Sequence, residues 1–148
     1  AGFEQGFRAR YPWGNIERVG GVEGIETLAE KQVMIALSAA GAPHPGLLAF
    51  AEASGVQLVT VGQPVDAALD NAVAAAIVVD IAEAVRRMAA DVVDDTFIGR
   101  IYAFDLGSGV VDLILHPSVS GNGDLEEALD HGRAAVNAGM VEIEALGL

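Results

Sequence analysis

Phe97–Pro117 reads FIGRIYAFDLGSGVVDLILHP, and the fold turns on it. Two apolar runs, Ile101–Phe104 and Val110–Leu115, flank Asp105-Leu106-Gly107-Ser108-Gly109. The β-branched and aromatic residues of the runs, with paired glycines between them, predict strand, tight loop, strand. Upstream lie βα units that can dock on such strands, and downstream one capped helix and a short apolar end.

Working outward toward the start, Gly2–Arg10 predicts a short helix with Phe3 and Phe7 on one face, stopped by Pro12. Asn15–Val19 is a strand candidate, and Gly20-Gly21 breaks the chain before a brief helix, Ile25–Gln32. Val33–Leu37 is a continuous apolar run of buried-strand type, followed by a loop, Ser38–Gly46, with two prolines and two glycines. Leu47–Ser54 predicts a helix that Gly55 can close in the left-handed conformation. Val56–Val61 alternates like a strand and runs into Gly62-Gln63-Pro64. Asp66–Val93 then carries the longest helical pattern, apolar almost all round across Val73–Val79 and amphipathic through Asp80, Glu83, Arg86 and Arg87. Beyond the linker-like His116–Gly123, Asp124 with Glu127 three residues on forms a capping-box pattern, and Gly139 ends that helix. Alternating β and α units predict an α/β fold with a mostly parallel sheet, a single domain spanning 1–148.

With 52% hydrophobic residues and a mean hydropathy of +0.41, the chain is apolar, yet no uncharged run approaches the ~20 residues that a membrane-spanning helix needs. Eight basic residues against 21 acidic ones give a net charge of −13, which repels nucleic-acid phosphates and anionic lipid surfaces, so neither partner is expected. Without cysteine there is no thiolate metal site and no thiol nucleophile. The opening AGFEQGFRARYPWG has no initiator Met and no apolar leader, which leads us to expect a processed or excised piece.

Candidate chemistry is sparse. His44, His116 and His131 stand on separate segments without metal-ligand spacing, and are expected to be loop residues (His44, His116) and an exposed helix residue (His131). No serine sits in a G-x-S-x-G elbow, and Gly107-Ser108-Gly109 falls where a turn is expected. The Asp94-Asp95 pair has the look of a solvated helix end rather than an acid/base couple. Gly41-Ala42-Pro43-His44-Pro45-Gly46 follows a buried strand, the position where α/β sheets bind ligands, although its prolines remove two N–H groups that a phosphate cradle would use. No cofactor and no metal is expected, and no constellation supports an enzyme.

Taken in order, these phrases resemble the basic membrane protein family of substrate-binding lipoproteins, nucleoside-binding members of the type I periplasmic-binding-protein fold. Phe3-Glu4-Gln5-Gly6-Phe7 is similar to the family's glycine-phenylalanine helix, and Val33–Gly41 to its strand ending in Ala-Ala-Gly, here Ala39-Ala40-Gly41. Leu47–Val61 is similar to the helix and strand that follow, Asp80 to an Asp of its long helix, Phe97–Leu115 to its F-G-L-x-x-G-G-V segment, and Leu125–Ile143 to its last helix and exit. The resemblance implies a three-layer receptor lobe, shortened relative to the family, that binds a nucleoside-like small molecule outside the cytoplasm and serves the membrane subunits of an ABC importer. It also implies an altered site. Leu37 stands where the family has a base-stacking aromatic, Val61–Asp66 where it has an acidic D-x-D-Q phrase, and Ile77 where it has a lysine. From their places at strand ends, the expected pocket rim is Leu37, Ala40, Gly41, Gly62, Gln63, Asp66 and Asp105. The alternative from a different class is an assembly protein that forms a homo-oligomer through an apolar lobe face.

Overall fold

The computed structural model describes residues 2–21, 23–39, 43–62, 72–99, 102, 104 and 106–140. In chain order the elements are α1 (Gly2–Arg10), α2 (Glu23–Glu30), β1 (Ile35–Ser38), α3 (Pro45–Ser54), β2 (Gln57–Val61), β3 (Val73–Val79), α4 (Ile81–Val93), a 3₁₀ turn (Leu106–Ser108), β4 (Val111–Leu115) and α5 (Gly123–Asn137). They form a mixed α/β fold around one four-stranded sheet in the order β1-β2-β3-β4. The first three strands are parallel, and β4 joins antiparallel to β3.

The centre of the fold is β1-α3-β2. His44 caps α3, its ring Nδ1 accepting from Gly46 N–H at 3.1 Å, and Pro45 stands in the first turn, where its missing N–H costs nothing. Gly55, at φ +71°, ends the helix in the left-handed conformation as its pattern predicts. This brings Ala51 against Val56, Leu58, Ala72 and Val73, with Ala36, Leu47, Leu48 and Phe50 packed around them. Leu58 is wholly buried on β2, on the sheet face that α3 covers. On the opposite face, Leu113 and Leu115 of β4 line an open cleft with Leu129 and Arg133 of α5, so helices lie on both sides of the sheet.

The expected helix over Asp66–Val93 is not what forms. Of its first part, residues 66–71 lie outside those described, and Val73–Val79 is the strand β3, paired to β2 and β4 on both sides. A run of seven residues with no polar position at helical spacing, ending in Ile-Val-Val, satisfies a central strand whose two faces are both covered. Asp80 is accordingly not a mid-helix residue but the N-cap of α4, accepting from Glu83 N–H at 2.9 Å. A register shift between Leu58 and Val59 sets Leu58 beside Val73 but Val59 beside Ala75, a bulge that leaves Ala74 as the extra residue of β3.

Other expectations also shift. Asn15–Val19 forms no strand; a two-bond Arg18–Glu4 ion pair fixes that segment to α1 instead. A Cβ at Gly14 would overlap the Phe7 ring, so a side chain there would require that ring to move. Of the expected strand Ile101–Phe104, Ile101 and Ala103 lie outside the described residues, while Tyr102 and Phe104 belong to no strand. They continue instead a stack of rings from Phe97, centroids 6.3 Å apart at each step, which Tyr102 Oη anchors to Asp91 at 2.7 Å. The N-cap of α5 is Asn122 rather than Asp124. Asn122 is the residue that keeps an extended backbone beside the helix start, and Glu126 reaches back to Gly121 N–H at 2.9 Å.

The outer edge of β4 carries a side-chain clasp. Leu113 N–H donates to Asp112 Oδ1 at 2.8 Å, Leu113 C=O accepts from Arg133 Nη2 at 2.9 Å, and Arg133 pairs with Asp112 at 2.5 Å. Both polar groups of the middle residue of the edge strand are therefore occupied without another strand.

Leu58→Ala removes a fully buried side chain from the centre of the core. It is expected to cost about 2–5 kcal/mol of stability, read from the shift of the urea midpoint at unchanged slope. On α4, hydrogen bonds from Arg86 and then Arg87 hold the Glu83 carboxyl down to about 2 from an ordinary 4.5. A depressed carboxylate contributes stability above its ordinary range and loses it as the pH falls through the depressed value. The stability difference between the parent and Glu83→Gln should therefore be constant near neutrality and shrink between roughly pH 5 and pH 2; a difference independent of pH there would contradict it.

Candidate functional site

Because β1, β2 and β3 run in parallel, their C-terminal ends share one edge of the sheet, and the chain leaves that edge through three successive connections. Open α/β sheets bind ligands along such an edge. Of the expected rim, two residues are described and both stand there. Leu37 is the penultimate residue of β1, half-buried, across from Val59 of β2. Gly62 follows β2 directly, with φ +95°, and donates its N–H to Ile77 C=O of β3 at 2.8 Å. A side chain at Gly62 would be strained in that conformation. Ala40, Gly41, Gln63, Asp66 and Asp105 lie outside the described residues. Ile77, aligned with a lysine on a helix, is a half-buried strand residue whose carbonyl the Gly62 bond uses.

Two residues that the sequence did not single out stand at the same edge. Ser38 ends β1 and Thr60 lies next to the end of β2; they are direct register partners, and Ala76 of β3 is the next partner along. Alternation places both on the face shared by Ala36 and Leu58, beneath α3, and both are more than nine-tenths buried. An uncharged polar group that reached both hydroxyls would gain about 0.5–1.5 kcal/mol for each hydrogen bond. The signal for Thr60 was present in the sequence, since it occupies the inward phase of the alternation in Val56–Val61; Ser38 carried none, having been assigned to the loop.

The helix α3 starts over this edge, and the His44 ring is part of its start. With Nδ1 accepting from Gly46, the neutral ring carries its hydrogen on Nε2, an exposed donor. Gly46 is held close beneath it: a Cβ there would come within 3.2 Å of His44 Nδ1 and 3.3 Å of Ile25 Cδ1. The described part of the edge thus offers two hydroxyls, an imidazole N–H, and the Asp80 carboxylate at the head of α4.

Other polar features lie elsewhere. His116, expected as a loop polar residue, follows β4 at the opposite edge and is 6% exposed. Its Nδ1 meets Ser118 Oγ at 2.7 Å and accepts from Ser118 N–H at 3.1 Å, while Nε2 is buried without a partner. His131 is exposed on α5 as expected. An open cleft of about 370 Å³ between β4 and α5 is lined by Leu113, Leu115, Glu126, Asp130 and Arg133, but Arg133 is committed there to Asp112 and Leu113. Among the described residues no group of three or more His, Asp or Glu side chains could hold a metal ion, and no helix is long and apolar enough to cross a membrane.

No protein-family model matches this sequence, and no curated protein matches it. Among solved structures, an ABC transporter system solute-binding protein from Conexibacter woesei DSM 14684 is similar in fold, with a TM-score of 0.69 at 19% identity. The similarity covers 96% of this chain and 50% of that one, so the chain spans about half the length of the protein it matches. The chain has the fold of half of a solute-binding protein.

Proposed function

We propose that this chain is a non-catalytic small-molecule-binding lobe, related to the extracytoplasmic receptors that deliver solutes to the membrane subunits of ABC importers. Its ligand is nucleoside-like, bound at a site altered from that of the basic membrane protein family. The fold likeness to a solute-binding protein supports the general role, and the order of the family-like phrases along the chain supports the finer one. The observation that carries the placement is the pair Ser38 and Thr60, register partners more than nine-tenths buried at the C-terminal ends of adjacent parallel strands.

The binding surface joins that pair to the rim of Leu37, Ala40, Gly41, Gly62, Gln63, Asp66 and Asp105. Hydroxyl donors and acceptors suit the alcohols of a sugar or the amide-like edge of a base. Leu37, in place of a stacking aromatic, supplies an apolar contact without a π face. Such a site selects by hydrogen-bond matching: a ligand lacking the complementary group leaves buried hydroxyls unpaired.

A thermal-shift titration against adenosine, guanosine, inosine, cytidine and uridine tests this directly. One of them, at a hundred times its dissociation constant, should stabilise the chain by about 2.7 kcal/mol. Ser38→Ala and Thr60→Val, which keep the shape of the site, should each weaken that ligand by about two- to tenfold, the worth of one hydrogen bond, while leaving the fold intact. No shift with any nucleoside removes the nucleoside assignment. A shift indifferent to both substitutions removes the hydroxyl pair from the site.

A further inference from the structure

Helix α3 begins above the strand ends, and His44 is the residue at its head. Leu47, Leu48 and Ala51 follow it by three, four and seven residues, the spacing of one helical stripe, and all three belong to the core packed around Leu58. His44 thus stands on the side of α3 that faces the sheet. As the crossover between two parallel strands, α3 runs back along them. Seven residues of helix cover about 10 Å, and the two residues from Leu58 to Thr60 about 7 Å. With Ala51 packed against Leu58, His44 overlies the sheet just beyond the row of Ser38 and Thr60, at the mouth of the strand edge.

The imidazole is held there in one orientation. Its Nδ1 accepts from Gly46 N–H at 3.1 Å, and the His44 C=O accepts from Leu47 N–H at 2.8 Å and Leu48 N–H at 3.2 Å. A Cβ at Gly46 would come within 3.2 Å of Nδ1 and 3.5 Å of Cε1, so that edge of the ring lies against the glycine. Because Nδ1 is the acceptor, the neutral ring has its hydrogen on Nε2, and the nitrogen left for a ligand donates and does not accept. The hydroxyls of Ser38 and Thr60 have no such polarity: each can donate or accept as a ligand requires. Asp80 only accepts, but it lies four residues past Ala76, the register partner of Thr60, about 13 Å farther along β3. Among the described side chains around the Ser38–Thr60 row, His44 is the one of fixed polarity.

We propose that His44 is the specificity-determining residue of the strand-end site, its Nε2–H reading a carbonyl oxygen of the ligand, so that the site takes oxo bases and rejects amino bases. This rests on the nucleoside-like reading given above and adds which nucleosides are accepted. A carbonyl meets the N–H with a lone pair. An exocyclic amino group in the same place sets hydrogen against hydrogen and leaves the imidazole donor unpaired. The two hydroxyls rotate to suit either base, so they contribute affinity without choice.

Inosine and adenosine differ at one edge of the base, an oxo group against an amino group, and uridine and cytidine differ in the same way. Calorimetric titration of the chain with both matched pairs tests the proposal. In the pair that binds, the oxo member is expected to bind at least about fivefold tighter. His44→Asn keeps a strong helix cap while removing the Nε2 donor, so it should fold with an unchanged thermal midpoint. It should weaken the oxo member, leave the amino member as it was, and bring the ratio to within about twofold of unity. His44→Ser, also a good cap, gives the same readout if the first variant does not fold. Ser38→Ala should weaken both members of the pair alike and preserve the ratio. A nucleoside that binds with no oxo preference, or with a preference that both His44 variants retain, overturns this inference and leaves the nucleoside reading standing. Binding of none of the four removes the nucleoside reading and the inference with it.

Discussion

Everything in this structure depends on parallel pairing through β2. A parallel pair cannot be closed by a hairpin; it needs a crossover that carries the chain back across a face of the sheet. For β1 and β2 that crossover is α3, and its Ala51 packs with Leu58 and Val56 in the buried core of the described residues. The same requirement puts the C-terminal ends of β1, β2 and β3 on one edge, which brings Ser38 beside Thr60 and Gly62 against Ile77. Core and site are two results of one constraint: the inward phase of β2 contributes Leu58 to the first and Thr60 to the second.

Where local and long-range requirements agree, the sequence was readable. Gly55 predicted the left-handed end of α3 because the last helical turn needs it whatever the tertiary fold, and the alternation of Val56–Val61 predicted β2 because one set of its residues is buried. The failures have one physical source. Val73–Val79 is apolar at every position, so it shows no periodicity by which to tell strand from helix or to separate it from the amphipathic helix behind it. That error hid Asp80 as a cap. At Tyr102 and Phe104, strong β-forming residues stack on Phe97 instead of pairing with a strand, a tertiary preference that composition cannot reveal.

The candidate site was legible as a place but not as chemistry. Strand ends pointed to one edge of the sheet, and Leu37 and Gly62 stand on it. Ser38 and Thr60 escaped because burial of a hydroxyl depends on which helix covers the strand, which for Ser38 is settled by residues after it in the chain. Polarity and burial were read separately along the sequence; only in three dimensions do they coincide.

The clasp on β4 bears on how this sheet ends. An edge strand is a template on which another chain can add, and here the middle of the template is closed by Asp112 and Arg133, not by a further strand. Two defences against fibrous growth are thereby both electrostatic: the clasp shuts the hydrogen-bonding groups of Leu113, and the net charge of −13 keeps copies apart. Concentrated salt weakens both at once. Salt therefore acts on this edge strand through Arg133 of α5, far from the edge where a ligand would bind.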